Sequence, residues 1–328
     1  MDQQVSPRIA VTGRIPDAGF ELLHEAGEVV AWDSLDVPTV EQVHEMVKGA
    51  EAVLTLLTTK VDDAFLDAAG PQLKVVANVA VGYNNIDVAA CAKRGVICTN
   101  TPGVLTDATA DIAMALILMS TRRLGEGERV IRGQQPWQWG MFYMLGSGIQ
   151  GRQLGIIGMG DIGKALARRA KAFGMTIAYS NRKPVSPQTE AELGAQFMSQ
   201  DELLATSDVV SLNCPYSPAT HHLMSTAQFH TMRPSAFLVN TARGPIVDEA
   251  ALVEALQTGQ IAGAGLDVFE HEPAVHPGLL ECDNAVLIPH LGSATQETRS
   301  AMARLAAHNA VNVLAGVEPP TPIPVPAS

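Results

Sequence analysis

Six residues constrain this chain more than any other stretch. Gly158-Met159-Gly160-Asp161-Ile162-Gly163 follows the apolar run Leu154–Ile157 and opens a helical pattern from Asp161 to Phe173. Gly158 permits a tight turn. Gly160 lets a pyrophosphate approach the backbone at a helix N-terminus, where N–H groups have no partner within the helix. Gly163 lets helix and strand pack closely. Met159, Asp161 and Ile162 complete the same turn. A glycine triplet between a strand and a helix predicts a dinucleotide-binding unit.

Such a unit often carries Asp or Glu about 20 residues further on, where a carboxylate bonds the ribose 2′-hydroxyl of NAD. Here the next strand end reads Ser180-Asn181-Arg182-Lys183. A carboxylate would repel a 2′-phosphate, whereas these side chains donate hydrogen bonds and positive charge to one. The expected cofactor is NADP (as NADPH), with NAD as the alternative.

The rest of the chain alternates strands and helices. Ile9–Thr12, Val29–Ala31, Ala52–Leu57 and Leu73–Val79 read as strands, and Cys98, in "GVICTN", closes that series. A second series follows the glycine turn at Met175–Tyr179, Asp208–Asn213, Ala236–Asn240, Ala264–Val268 and Ala285–Ile288. Strands alternating with helices imply parallel sheets with βαβ crossovers. At 328 residues the chain is too long for one ordinary core and suits two domains. "TADIAMALILMSTRR", 109–123, is apolar nearly all round until its basic end, so it reads as a buried helix between domains or subunits. "GQQPWQWGMFYMLGSGIQG", 133–151, has no period and reads as a loop. The final helix, Gln296 to Leu314, lies beyond the second series and is placed to return to the first domain. The tail "VEPPTPIPVPAS" reads as an extended arm, ordered only where it docks.

A net charge of -12 argues against nucleic-acid or anionic-membrane binding. A small anionic substrate would then need a local cationic pocket. Cys91, Cys98, Cys214 and Cys282 form no CxxC pair and have no zinc spacing, so no metal site is expected and a reduced, cytoplasmic protein is the simpler reading. The N-terminus has no signal-peptide pattern, and the longest apolar run, 112–119, is too short to span a bilayer.

Three later stretches each place a charged residue just after an apolar run: "NTARGPIVDE" (240–249), "GLDVFEHEP" (265–273) and "IPHLGSAT" (288–295). In open α/β sheets ligands bind at the carboxyl ends of the strands, so Arg243, Glu272 and His290 are candidates to converge. Each alone is an unremarkable strand-end residue. Together they suit hydride transfer to a 2-keto acid. Arg243 offers a planar fork for a carboxylate, His290 is a general acid, and Glu272 orients the imidazole.

These stretches, with "VANVAVGYNNID" and "GIIGMGDIG", make the chain resemble the D-isomer-specific 2-hydroxyacid dehydrogenases from about Pro7 to Ile323. Within that family it is most similar to the glyoxylate/hydroxypyruvate reductases, through "GVLTDATADIAMAL" and the "YSNR" strand end. The resemblance implies two Rossmann-like α/β domains with parallel sheets. The substrate domain would be discontinuous, 1–102 and 292–328, with the dinucleotide domain, 103–291, inserted in it and the active site in the cleft between. It implies that Arg243, Glu272 and His290 are the catalytic set. Leu57, Val81 and Gly82 would bind substrate, the last two through backbone N–H groups that hold its carboxylate. Asp267 would lie near the nicotinamide carboxamide, Cys214 and Pro215 beside the adenosine, and Thr109, Thr241, Ala242 and Gly292 against the cofactor. A homodimer is implied as well.

The loop "PWQWGMFYMLG" lacks the spaced proline usual in related reductases, so Trp139 has two readings: a residue reaching a partner's active site, or packing in a dimer contact. Glu272 speaks against the formate dehydrogenases, which pair their histidine with glutamine. A 2-ketogluconate reductase and a phosphoglycerate-type dehydrogenase remain as enzyme alternatives, and a cofactor-sensing corepressor as a non-enzymatic one.

Overall fold

In the computed structural model the chain forms two compact units, Met1–Leu105 with Ala294–Ser328, and Thr106–Ser293. The divisions fall after residues 105 and 293, where the sequence reading put them after 102 and 291. Residues 6–325 are described. The readings of the first five residues and of Pro326, Ala327 and Ser328 lie outside them.

The first unit is built on five parallel strands: β1 (Arg8–Val11), β2 (Glu28–Ala31), β3 (Ala52–Thr55), β4 (Val75–Asn78) and β5 (Ile97–Thr99), in the order β2-β1-β3-β4-β5. β3 and β4 are buried along their whole length. That is why they read as unbroken apolar runs rather than alternating ones. The helix Gln296–Leu314 packs on β3, β4, β5 and the helix Phe20–Ala26, and buries Ala303, Ala306, Ala307 and Ala310. The described part of the proline-rich tail docks. Thr99 and Pro322 form an antiparallel bridge, and Ile323 is buried with its N–H on the Cys98 carbonyl at 2.8 Å.

The second unit has seven parallel strands: β6 (Gln153–Ile157), β7 (Thr176–Ser180), β8 (Ala195–Phe197), β9 (Val209–Leu212), β10 (Phe237–Asn240), β11 (Gly263–Leu266) and β12 (Ala285–Leu287). Their order is β12-β11-β10-β9-β6-β7-β8. Chain direction across the sheet reverses at β6, between β9 and β7, and this opens a crevice at the strand carboxyl ends. Apolar clusters cover the sheet, one of them including the helix Thr106–Thr121. That helix lies so close to β11 that a side chain on Gly265 would come within 2.8 Å of Ser120 Oγ. Among the described residues no helix is long and apolar enough to cross a membrane.

Residues 133–152 form no helix or strand and leave Trp137, Trp139, Met141, Phe142 and Leu145 exposed. The preceding helix, Leu124–Arg132, and the edge strand β8 are two elements the sequence pattern did not announce.

Candidate active site

The glycine turn sits at the point of reversal. β6 ends at Ile157, and the helix Asp161–Ala172 begins with Gly160 at its N-cap. Gly158 has φ +101°, a conformation L side chains rarely adopt, and a Cβ there would lie 2.5 Å from the Cys214 nitrogen. The loop after β6 thus touches the loop after β9 through bare backbone. A Cβ on Gly163 would lie 2.4 Å from the Gly158 oxygen. At Gly160 a Cβ would meet nothing within 4 Å, so open space lies over the helix N-terminus. Burial holds the Cys214 thiol up, to about 11, so it acts as a neutral wall beside exposed Pro215. Asp161 and Ile162 carry the first turn of the helix, and Asp161 pairs with Lys164 at 3.6 Å.

The end of β7 is tied to this turn. Gly158 N–H donates to the Ser180 carbonyl at 3.0 Å, and Met159 N–H donates to Asn181 Oδ1 at 2.7 Å. A backbone N–H can be received only by the amide oxygen, so the Asn181 NH2 is left as a donor. Arg182 and Lys183 are exposed, and among the described residues they make no hydrogen bond or ion pair. Thr241 follows β10 and is buried, with no partner for its hydroxyl oxygen; half-buried Ala242 is next. An open helix N-terminus, a buried hydroxyl without a partner and unpaired donors beside Ser180 fit a phosphorylated dinucleotide.

Further along the same strand ends lies a second group. Asp267, just past β11, is almost fully buried. Burial pushes its carboxyl up, against the N–H groups of Leu291 and Gly292 and the nearby His290. Its Oδ2 accepts from Gly292 N–H at 2.8 Å. Gly292 stands between Asp267 and Thr109, and a Cβ there would come within 3.1 Å of Asp267 Oδ2 and 3.5 Å of Thr109 Oγ1.

Arg243, Glu272 and His290 are linked through Glu272. His290 Nδ1 lies 2.8 Å from Glu272 Oε2, and Phe269 N–H donates to Glu272 Oε1 at 3.0 Å. Burial alone would raise the Glu272 carboxyl. The His290 bond and charge, the Phe269 N–H and the Arg243 charge reverse this and hold it below the ordinary glutamate range. Burial lowers the Arg243 guanidinium, and Glu272 opposes that shift. Arg243 Nη1 donates to the Ala242 carbonyl at 2.6 Å, and its own carbonyl accepts from Asn240 Nδ2 at 3.0 Å. His290 has φ +51°, unusual for a residue with a side chain, and its N–H is held by the Asp267 carbonyl at 2.8 Å. Such backbone conformations cluster where a side chain must be aimed. Leu57, Val81 and Gly82, the expected substrate contacts, lie in the first unit, in the loops after β3 and β4.

Sequence reasoning missed the groups behind these loops. His222 Nε2 lies 2.6 Å from Glu270 Oε1, and Glu270 N–H donates to buried Glu249 Oε1 at 2.8 Å. The signal was available in "DVFEHEP", whose first glutamate is Glu270. Among the described residues no group of three or more His, Cys, Asp or Glu is placed to hold a metal ion.

Residues 114–292 match the family model described as "D-isomer specific 2-hydroxyacid dehydrogenase, NAD binding domain". The chain belongs to the D-isomer specific 2-hydroxyacid dehydrogenases. As a member of that family it is an NAD(P)-dependent oxidoreductase, with two parallel-sheet α/β units. A glyoxylate reductase from Thermococcus onnurineus is 46% identical over 97% of this dehydrogenase and 96% of its own length. The structure of a glyoxylate reductase from Paecilomyes thermophila superposes with a TM-score of 0.88 at 35% identity, covering 97% of this chain and 98% of that one. An NADPH-dependent glyoxylate/hydroxypyruvate reductase from Sinorhizobium meliloti, solved with NADP and malonate, superposes at 0.84 with 36% identity and covers 97% of each chain.

Proposed function

We propose that this dehydrogenase reduces small 2-keto acids, glyoxylate or hydroxypyruvate, to 2-hydroxy acids with NADPH. The observation that carries the reading is the 2.8 Å contact between His290 and Glu272, with the Arg243 charge acting on the same carboxylate. The bound cofactor supplies the hydride. Arg243 holds the substrate's carboxylate and polarises its keto oxygen, and the Val81–Gly82 backbone is a second holder of that carboxylate. Glu272 keeps the imidazole turned, and His290 delivers a proton to the oxygen as it gains charge. Asn181, Arg182 and Lys183 receive the 2′-phosphate, while Ser180 and the Met159–Ile162 backbone border the pyrophosphate. The names of the relatives support the substrate class, and the NADP-bound relative supports the cofactor.

A second copy of the chain is the partner this reading expects. Trp137, Trp139, Met141, Phe142 and Leu145 all stand exposed in one loop, and clustered exposed apolar side chains suit a protein–protein contact.

The test is a kinetic panel. Loss of NADPH absorbance is followed with glyoxylate and hydroxypyruvate, and each is repeated with NADH. Turnover with at least one acid, faster with NADPH at low cofactor concentration, is expected. No turnover with either acid overturns the substrate assignment, and a preference for NADH overturns the cofactor assignment.

A further inference from the structure

The turn after β4, Val81–Tyr83, has both of its first two carbonyls taken by side chains of the same unit. Asn100 Nδ2 donates to the Val81 carbonyl at 2.7 Å, and Asn78 Nδ2 donates to the Gly82 carbonyl at 2.9 Å. A carbonyl only accepts, so both amides are fixed with their nitrogen toward the turn. In a trans peptide the C=O and the following N–H point opposite ways in one plane. Pinning the Val81 carbonyl therefore turns the Gly82 N–H to the other side. Pinning the Gly82 carbonyl does the same for the Tyr83 N–H. Among the described residues neither N–H reaches an acceptor in the protein.

The two asparagines are themselves braced. Asn78 is fully buried, and its Oδ1 accepts from Thr55 Oγ1 at 3.0 Å and from Asn85 Nδ2 at 3.2 Å. Asn85 Nδ2 also faces the Leu56 and Thr59 carbonyls, at 3.2 and 3.0 Å. The Asn100 carbonyl accepts from Thr321 Oγ1 at 2.6 Å and from Asn309 Nδ2 at 3.3 Å. Thr321 belongs to the proline-rich tail, and its N–H is held by Asn309 Oδ1 at 3.0 Å. The tail thus reaches the turn through one asparagine.

We propose that Asn78 and Asn100 are positioning residues that preset two N–H groups of this turn as a receptor for the substrate's carboxylate: that of Gly82, already expected to hold it, and that of Tyr83, which the pinned Gly82 carbonyl orients in place of the expected Val81 N–H, with Thr321 bracing Asn100. The proposal rests on the reading above that this loop holds that carboxylate. Two donors already oriented need no reordering when the anion arrives, and each gives a charge-assisted bond. The side chains that do the orienting are neutral and lie behind the loop. Their removal acts on binding of the acid and not on the cofactor.

The test uses Asn100→Ala and Asn78→Ala in the full chain, each first checked by thermal melting. Asn100 is only half-buried, so its variant decides the matter if the Asn78 variant does not fold. Calorimetric titration with oxamate, a non-reducible carboxylate, is done in the presence of NADPH, beside steady-state kinetics with glyoxylate. Oxamate affinity and the glyoxylate KM are expected to worsen together by about 10-fold, as for one charged hydrogen bond lost, while the NADPH KM and kcat stay within about twofold. A folded Asn100→Ala protein with wild-type oxamate affinity overturns the proposal, and so does a wild-type protein that binds no oxamate. If oxamate binding weakens in the variant but the wild type reduces no 2-keto acid, the proposed activity fails and the positioning role stands. Normal turnover with unchanged oxamate affinity gives the opposite result.

Discussion

His290 Nδ1 and Glu272 Oε2 lie 2.8 Å apart, and the same carboxyl receives the Phe269 N–H on its other oxygen. Burial acts to raise the Glu272 pKa, but its hydrogen bonds and the charges of His290 and Arg243 lower it further than burial raises it. A carboxyl depressed in the folded state stabilises the fold above its unfolded value, about 4.3, and loses that contribution as pH falls through the folded value. Glu272→Gln keeps an oxygen for Phe269 but cannot ionise. Its melting temperature is expected to lie below wild type at pH 7, with the gap closing as pH falls below the ordinary glutamate range. Melting curves across that range check this. A gap that stays constant would show that the charge of Glu272 contributes nothing.

Removing a charge-bearing partner of the reacting oxygen affects the chemical step more than binding. Arg243→Ala and His290→Ala are each expected to cut kcat by roughly 100-fold or more, through lost electrostatic and acid–base assistance. Both side chains sit at strand ends outside the core clusters, so the fold should survive. Steady-state kinetics on proteins with wild-type circular dichroism make the measurement. Near wild-type kcat in both would remove these residues from the mechanism.

Asn181 offers a sharper test of cofactor choice than the two cations beside it. Its Oδ1 receives the Met159 N–H at 2.7 Å. Asn181→Asp keeps that acceptor and so keeps the turn. It replaces the NH2 donor with a negative oxygen, which repels a 2′-phosphate and accepts from a 2′-hydroxyl. The ratio of kcat/KM for NADPH over NADH is expected to fall by about 10-fold or more, since one charge contact is worth about 1.4 kcal/mol or above. An unchanged ratio would mean that Asn181 does not meet the 2′ position. Arg182→Ala would then be the next variant to make.

The strands that position the site were legible because they are central. β9, β10 and β11 are buried throughout, so they appear as apolar runs bounded by turns. β8 is an edge strand with two of its three residues exposed, and it carries no such pattern. The helix Leu124–Arg132 hides behind Gly125 and Gly127, which lower helix propensity. The glycine turn and the strand-end Arg243, Glu272 and His290 could be read because each is a local feature. The supports behind the Val81–Gly82 turn could not. Asn100 meets Asn309 and Thr321 across separations of 209 and 221 residues, and no local spacing encodes such contacts.

Gly244 joins the two loops that carry Arg243 and Glu272. A Cβ at this position would lie 1.8 Å from the Phe269 carbonyl oxygen and 2.4 Å from the Glu270 nitrogen, so the two backbones meet with no room for a methyl group. The neighbouring groups hold that contact shut, since Glu270 N–H is received by Glu249 and its carboxylate meets His222 at 2.6 Å. Burial raises the Glu249 carboxyl, against the lowering bond from that N–H. The atoms opposing a new methyl are main chain, which cannot rotate away. Gly244→Ala is therefore expected to destabilise the protein by about 3 kcal/mol, at the upper end for overpacking, and to lower the melting temperature by about 4 °C. Because the displaced loops carry Arg243 and Glu272, kcat per folded molecule at 25 °C should fall as well, by roughly 10-fold or more for a displacement near 1 Å. Melting temperature and kcat measured on the same preparation separate the two effects. A lower melting temperature with unchanged kcat would show that this contact holds the fold together without setting the geometry of Arg243 and Glu272.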